Sequence, residues 1–311
     1  MRLNQEYSID VLCVGAGTYD LVYSVDRHPH PDEKIRADSF TGCGGGPAAN
    51  AAVTVSSLGL QSAFVGYLGN DIFGNAHIDE LQQAGVNTDL VARGKHSSAL
   101  SVVMVKPDGS RALVNYRKPA SFLAADSVDF SSINTRVILF DGHEPHISPA
   151  LAESARQMGI ITVLDAGSIH SGTEELAGLV DYLVCSESFG LNFTGESTEE
   201  RALEKLSGYA PNVIITVGSR GLVWKNGEGS GREGAFKIKA LDTTGAGDVF
   251  HGALAACLAE KREWRESLAF ASAAGALCCT KIGARLGIPG REEVEEFLAS
   301  QQGPVCCVIG Y

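Results

Sequence analysis

The chain has 311 residues, 44% apolar and 20% charged, the proportions of one large globular domain or two modest ones and not of a disordered chain. Thirty-seven acidic against 25 basic residues leave a net charge of −12, the wrong sign for sequence-independent nucleic-acid binding. No apolar run approaches the roughly 18 residues of a spanning helix, and residues 1–10 lack the basic-then-apolar layout of a secretory signal, so a soluble, cytoplasmic protein is expected.

In chain order, short β-branched runs alternate with helical patterns, the signal for a mostly parallel sheet. A buried strand is expected at 11–14, followed by strands at 20–25 and 35–40 around the turn-rich 26–34. A helix at 48–57, a strand at 63–67 and a helix at 73–84 come next. Residues 98–106 and 111–116 read as a hairpin turning at Asp108-Gly109. Strands at 137–140, 161–164, 182–185 and 213–217 then alternate with helices at 149–158 and 198–206, and helices close the chain at 246–259, 264–281 and 291–300. Continuously apolar strands imply a sheet covered on both faces, while the helix-free strands near the N-terminus suggest a small β flap beside it.

Three glycine-containing motifs carry the candidate chemistry. Val14-Gly15-Ala16-Gly17-Thr18-Tyr19-Asp20 follows a strand, as a dinucleotide fingerprint does, but Asp20 stands where that fingerprint needs glycine or alanine, and a strand follows instead of a helix. The remaining readings are a tight turn, or a carboxylate at the sheet edge that accepts hydrogen bonds from a polyol. Gly42-Cys43-Gly44-Gly45-Gly46-Pro47-Ala48-Ala49-Asn50 lets the backbone pass close to a ligand before Pro47 opens a helix. Asn50 can point an amide at that ligand; the alternative is a flexible, proline-capped loop. No Gly-Lys-Ser/Thr follows, so it is not a nucleoside triphosphate P-loop. Asp242-Thr243-Thr244-Gly245-Ala246-Gly247-Asp248-Val249-Phe250 follows a strand-like 236–241 and opens a helix of small residues. The N–H groups of 245–248 would form an anion hole, with the Asp248 carboxylate stabilised in the first turn. A base beside an anion hole is what phosphoryl transfer to a hydroxyl requires; the plain alternative makes Asp242 and Asp248 helix caps.

Paired, Gly45-Gly46-x-x-x-Asn50 and Asp242-Thr-x-Gly-Ala-Gly-Asp248 resemble the two signatures of the ribokinase-like (PfkB) carbohydrate kinases, and the resemblance extends over nearly the whole chain. It implies an α/β fold, a three-layer α/β/α ribokinase-like domain with a mostly parallel central sheet and a small β-strand lid. Residues 1–311 would form a single domain, with a discontinuous lid from about 18–41 and 97–120. It implies transfer of the γ-phosphoryl group of ATP, with Mg2+, to a sugar hydroxyl. Asp248 is then the general base, Gly245, Ala246 and Gly247 form the anion hole, and Asp20, Gly45, Gly46 and Asn50 hold the acceptor. On the nucleotide side, Thr216, Gly218 and Gly221 match a strand-end turn beside the triphosphate. Ser186, Thr244 and Gly247 are assigned to the same side, and Ala274, Leu277 and Gly283 fall in the segment lining the adenine pocket. Asp242 and Thr244 correspond to part of a monovalent-cation (K+) site. Ser186-Glu187-Ser188-Phe189 stands where many members carry Asn-x-x-Glu, a departure shared with ketohexokinase-type members, and it puts the usual water-mediated magnesium network in doubt.

Residues 44–49, 114–116, 244–254 and 270–289 are similar to the sulfofructose kinase branch, which reads a sulfonate with a lysine, an asparagine and an arginine. By position these fall on Lys34, Asn115 and, in place of the arginine, His143, a poor substitute for a two-pronged donor at neutral pH. The favoured acceptor is therefore a ketose-type sugar with a primary hydroxyl. The alternatives are an anionic sugar such as sulfofructose or a sugar phosphate, a nucleoside, and, from another class, a catalytically silent sugar- or nucleotide-binding protein. Lys34, Arg36, Arg111, Arg117 and Lys118 gather cations on the expected lid, either as solvated charge or to read an anionic acceptor group. His143 and His146 flank Glu144 without a third metal ligand. His251 reads as a packing residue, and Arg285 either nears the nucleotide or pairs with an acid. Eight cysteines without a Cys-x-x-Cys read as buried free thiols of a reducing compartment. The resemblance further implies a homodimer through the lid; nucleic acid and membranes are not expected partners.

Overall fold

The computed structural model describes residues 8–118, 122–130 and 134–301. In chain order the elements begin with β1 (Ser8–Val14), β2 (Thr18–Ser24), β3 (Ser39–Gly45), α1 (Pro47–Ser57), β4 (Ser62–Val65), β5 (Tyr67–Gly69), α2 (Ile72–Gln83) and β6 (Ala92–Gly94). They continue with β7 (Ala99–Val105), β8 (Arg111–Tyr116), β9 (Asn134–Phe140), α3 (Ser148–Met158), β10 (Ile161–Ala166), α4 (Ser171–Leu176), β11 (Tyr182–Ser186), α5 (Glu187–Thr194) and α6 (Glu199–Leu206). The last are β12 (Asn212–Thr216), β13 (Leu222–Asn226), β14 (Gly229–Glu233), α7 (Ala246–Ala259), α8 (Trp264–Cys278), α9 (Ala284–Gly287) and α10 (Arg291–Gln301).

The main sheet has eight strands in the order β14-β13-β12-β11-β10-β9-β1-β4. It is parallel from β12 to β4, and β13 and β14 are antiparallel. Alternate residues point to opposite faces. Val11, Cys13, Val137, Leu139, Val163 and Ile214 pack in one core with α1, α7, α8 and α10. Leu12, Val14, Ile138, Phe140, Leu164 and Ile215 pack in a second core with α3, α4, α5 and α6. The result is three layers with strands buried on both sides, as their unbroken apolar runs require.

A separate four-stranded sheet, β3-β2-β7-β8, is the expected lid, with a small core of Val22, Val103 and Val105. Its hairpin turns at Asp108-Gly109, where Gly109 has φ +78° and donates to the Lys106 carbonyl. Residues 119 and 120 of the expected lid lie outside the described residues, as do Cys306 and Cys307. The six described cysteines are free and buried.

Three local expectations need correction. The second lid strand is Ser39–Gly45, not 35–40, so Gly42, Gly44 and Gly45 belong to a strand and not to a loop. Seven ladder pairs with β2 carry this glycine-rich segment. Residues 236–241 form no strand; Leu241 instead donates its N–H to the Cys279 carbonyl. The helix expected to reach 281 stops at Cys278.

Candidate active site

In open α/β sheets ligands bind outside the carboxyl ends of the strands. On that edge β1 runs into Gly15-Ala16-Gly17, β9 into Asp141, β10 ends beside Asp165, and β11 and β12 end at Ser186 and Thr216. A cavity of about 270 Å³ opens there beneath the lid, and Asp20, Asn50, Asn115, Arg117, His143 and Asp248 are among its lining. A larger depression of about 430 Å³ touches Asn134, Ile161 and Ala259. It lies at the starts of β9 and β10, on the wrong edge of the sheet, and contains none of the motif residues.

Asp141, 2% exposed, holds three segments in place. One carboxylate oxygen accepts from the N–H of Ala16 (2.8 Å) and of Ala48 (3.1 Å), and the other accepts from the N–H of His143 (2.8 Å). The turn after β1, the first turn of α1 and the loop carrying His143 are thus fixed to one another. Any Cβ at position 15 would lie 1.8 Å from this carboxylate, which is why Gly15 is there. Sequence reading passed over Asp141; the available signal was a single carboxylate directly after the apolar run Val137–Phe140.

The residues that the resemblance assigns to the acceptor sit on this frame. Asp20, on β2, is buried and accepts a hydrogen bond from Thr18 Oγ1 at 2.9 Å. A Cβ on Gly45, which pairs with Thr18 across the ladder, would come within 2.2 Å of its carboxylate. Burial pushes the Asp20 carboxyl upward, and hydrogen bonds from Thr18 and Ser101 pull it back. Asn50, in the first turn of α1, donates from Nδ2 to Asp248 Oδ2 at 2.7 Å, and its buried Oδ1 has no partner among the described residues. An acceptor hydroxyl can fill that place. Gly45, Gly46, Asn50, Asp20 and Asp248 therefore meet at one point, although 198 residues separate Asn50 from Asp248.

Asp248 stands in the first turn of α7, whose N-cap Gly245 has φ +77° and packs where a Cβ would strike Ala284 at 2.5 Å. The opening N–H groups of a helix have no intrahelical acceptor and face an anion favourably. Burial raises the Asp248 carboxyl above its ordinary value, and donation from Asn50 and the charges of His251 and Arg111 oppose the rise. His251, expected only to pack, does more. Its Nδ1 lies 2.6 Å from the Gly247 carbonyl and 3.3 Å from Asp165 Oδ2, and its Nε2 lies 3.2 Å from the Val184 carbonyl. It ties the turn that opens α7 to β10 and β11.

On the lid side, Asn115 and Arg117 line the cavity. Arg117 donates from Nη2 to the fully buried Glu144 at 2.6 Å, its guanidinium lies 4.5 Å from the centre of the Phe122 ring, and its buried Nη1 has no partner among the described residues. Burial pushes Glu144 up to about 7 against the pull of Arg117. His143 stacks on His170 with ring centres 4.4 Å apart. Lys34 is exposed between β2 and β3 and is not among the cavity's lining residues. Among the described residues Arg285 reaches no acid within ion-pair distance, and it is not left in water: its Nη2 lies 3.1 Å from His77 Nε2, beneath Gly44.

Asp242 is 1% exposed. It accepts from the N–H of Thr244 (2.9 Å), from Thr244 Oγ1 (2.6 Å) and from the N–H of Gly283 (2.8 Å). The carboxylate that the resemblance assigns to a K+ site is thus engaged in bracing two loops. Among the described residues no group of three or more His, Cys, Asp or Glu side chains is placed to hold a metal ion. Ser186 caps α5 by accepting from the N–H of Phe189 at 3.0 Å. Thr216 ends β12 and leads into the turn of Gly218 (φ +59°) and Gly221 (φ +94°). Ala274 and Leu277 lie on α8 and Gly283 on the loop after it. From β1 to β12 the sheet edge spans four strand spacings, roughly 20 Å; Ser186 and Thr216 end the strands toward its β12 side, while Thr244 lines the cavity together with Asp20, Asn50 and Asp248.

The sequence profile of the pfkB family carbohydrate kinases matches residues 8–291. The chain belongs to this family. It is 28% identical over 300 residues to the ribokinase of Bacillus subtilis, covering 93% of this chain and 99% of that one. It is 30% identical over 282 residues to the fructokinase of Solanum tuberosum, covering 84% and 88%. The solved structure of Arabidopsis thaliana ribokinase complexed with ribose and ATP superposes with a TM-score of 0.83 at 26% identity, covering 94% and 99%. The fold is ribokinase-like and the protein is an ATP-dependent carbohydrate kinase.

Proposed function

We propose that this kinase phosphorylates a primary hydroxyl of a ketose-type sugar, with Asp248 as general base. The observation that carries the reading is the position of Asp248, fixed by Asn50 at 2.7 Å in the first turn of α7 and open to the cavity that Asp20 and Asn115 line. The acceptor hydroxyl gives its proton to Asp248 as its oxygen bonds to the γ-phosphorus. The bond from that phosphorus to the ADP oxygen breaks, and the N–H groups of Gly245, Ala246 and Gly247 hold the charge of the moving group. Burial raises Asp248 toward the range where a base accepts a proton readily. The lid excludes water that would otherwise take the phosphoryl group. The fructokinase relative supports a ketose, and the solved ribokinase complex supports ATP and a sugar on this framework.

Magnesium bound with ATP neutralises phosphate charge. It needs only one or two protein carboxylates beside the phosphates; Asp165, at the carboxyl end of β10, would be one that could hold it, in exchange for its contact with His251 Nδ1 at 3.3 Å. A homodimer through the lid, which exposes Phe40 and Val114, and a cytoplasmic location, in keeping with the buried free thiols, belong to the same reading.

One observation favours a second acceptor class. Arg117 presents an unpartnered, buried Nη1 at the cavity wall, and a guanidinium is the donor best suited to a carboxylate, sulfonate or phosphate. Acceptor-dependent ADP release is the test, with fructose, ribose, 2-keto-3-deoxygluconate, fructose 6-phosphate, tagatose 6-phosphate, sulfofructose and adenosine as acceptors. A neutral ketose is expected to give the highest kcat/KM. Preference for an anionic sugar would move the assignment to the second class and make Arg117 its reader, while preference for adenosine would overturn both.

A further inference from the structure

The lid strand β8 turns one face to the cavity, where Leu113 and Asn115 are lining residues. Alternate residues share a face, so Arg111 opens the same row. Its neighbourhood differs from theirs. Arg111 Nη1 donates to Thr244 Oγ1 at 2.7 Å, a contact that joins residues 133 apart in sequence. Thr244 immediately precedes Gly245, the N-cap of α7. The hairpin tip descends onto the same loop, because a Cβ added at Gly109 would lie 3.6 Å from the Leu241 carbonyl. The lid therefore brings a cation to the mouth of the anion hole, and its charge is felt at Asp248.

Arg111 holds no carboxylate there. Among the described residues no ion pair engages it, and its partner is a neutral hydroxyl that already donates to Asp242 at 2.6 Å. A guanidinium carries five N–H donors in a planar fork, so one hydrogen bond to Thr244 leaves the rest of the fork uncommitted. That fork matches a phosphoryl group held by two oxygens.

We propose that Arg111 is a catalytic residue delivered by the lid, pairing with oxygens of the transferring phosphoryl group as it passes from ATP to the acceptor. The inference rests on the assignment of the α7 turn as the phosphoryl site. Arg111 exchanges no proton and forms no covalent bond. The proton still goes to Asp248, and the guanidinium meets charge that the γ-phosphoryl oxygens carry in the transition state. Because the lid also covers the acceptor, full phosphoryl-transfer power arrives only when the lid is down over a bound sugar, which disfavours transfer to water.

The test uses Arg111→Gln and Arg111→Lys in the full-length enzyme, with whichever sugar the wild type turns over fastest. A wrong ketose assignment then changes the sugar and leaves the ratios interpretable. Asp248→Asn measured alongside reports separately on the base. Removing one donor aimed at developing charge typically costs about 10²–10³ in kcat. Arg111→Gln is expected to lose kcat on that scale with acceptor and ATP dissociation constants, measured calorimetrically, within about threefold of wild type, and Arg111→Lys to recover part of the loss. A second readout is the affinity for ADP with aluminium fluoride in the presence of the sugar, which should fall in Arg111→Gln while affinity for ADP alone stays constant. Wild-type kcat in Arg111→Gln would overturn the proposal. So would a raised acceptor KM at unchanged kcat, which would leave Arg111 only fastening the lid to Thr244.

Discussion

Two carboxylates occupy the same edge of the sheet, and their surroundings assign them opposite tasks. Around Asp141, at the end of β9, three backbone N–H groups converge at 2.8–3.1 Å and engage both oxygens. Around Asp248, at the start of α7, a single side-chain amide donates, and the other side opens on a cavity. The first region is architecture: it locks the β1 turn, α1 and the His143 loop together. In the second, burial raises the carboxyl without satisfying it, a cost to the fold that, on the proposed reading, leaves the group ready for a hydroxyl proton. Residue type says little here; the count of donors decides.

The contrast can be broken most forcefully at Asp141. Asp141→Ala leaves three buried N–H groups without their acceptor and should lower the unfolding free energy by about 3 kcal/mol, read from urea midpoints at unchanged m-value. A loss below about 1 kcal/mol would show that water replaces the carboxylate and that the region is not a rigid frame.

A smaller effect sharpens the Asp248 side. The Asn50 amide donates to the ionised carboxylate and so holds its pKa down against burial. On the proposed reading Asp248 works ionised as the base, so kcat/KM should rise with pH through its pKa. Asn50→Ala should move this acid limb to higher pH by about one unit, the equivalent of one hydrogen bond. A limb that stays in place would mean that another group sets it.

Much of this arrangement is legible in the sequence where the signal is local. Unbroken apolar runs mark the parallel strands, and Gly245-Ala246-Gly247-Asp248 marks the turn of α7. The hairpin β13–β14 is not among the expected elements: it turns at Gly227-Glu228, between the paired Asn226 and Gly229, and its second strand, Gly-Ser-Gly-Arg-Glu, has the composition of a loop. Glycine likewise hid β3, because its glycines serve neighbours: Gly45 gives room to Asp20, and Gly44 to His77 and Arg285. The reverse error at 236–241 followed from an apolar alternation that finds no ladder partner. What no local pattern carries is the partner of a carboxylate. Asp141 binds N–H groups 93 and 125 residues away, and Arg111 reaches Thr244 across 133. Lys34 shows the limit from the other side, since a position inferred from a resemblance lies on an exposed loop in this chain.

The most direct measurement of the central assignment is single-turnover phosphoryl transfer by Asp248→Asn, with sugar and ATP binding and urea unfolding measured on the same preparation. The expected result is binding close to wild type, stability equal to or above wild type, and a transfer rate lower by about 10²–10⁴-fold. Transfer within a few fold of wild type would contradict the assignment, because a carboxamide in that place cannot accept the hydroxyl proton.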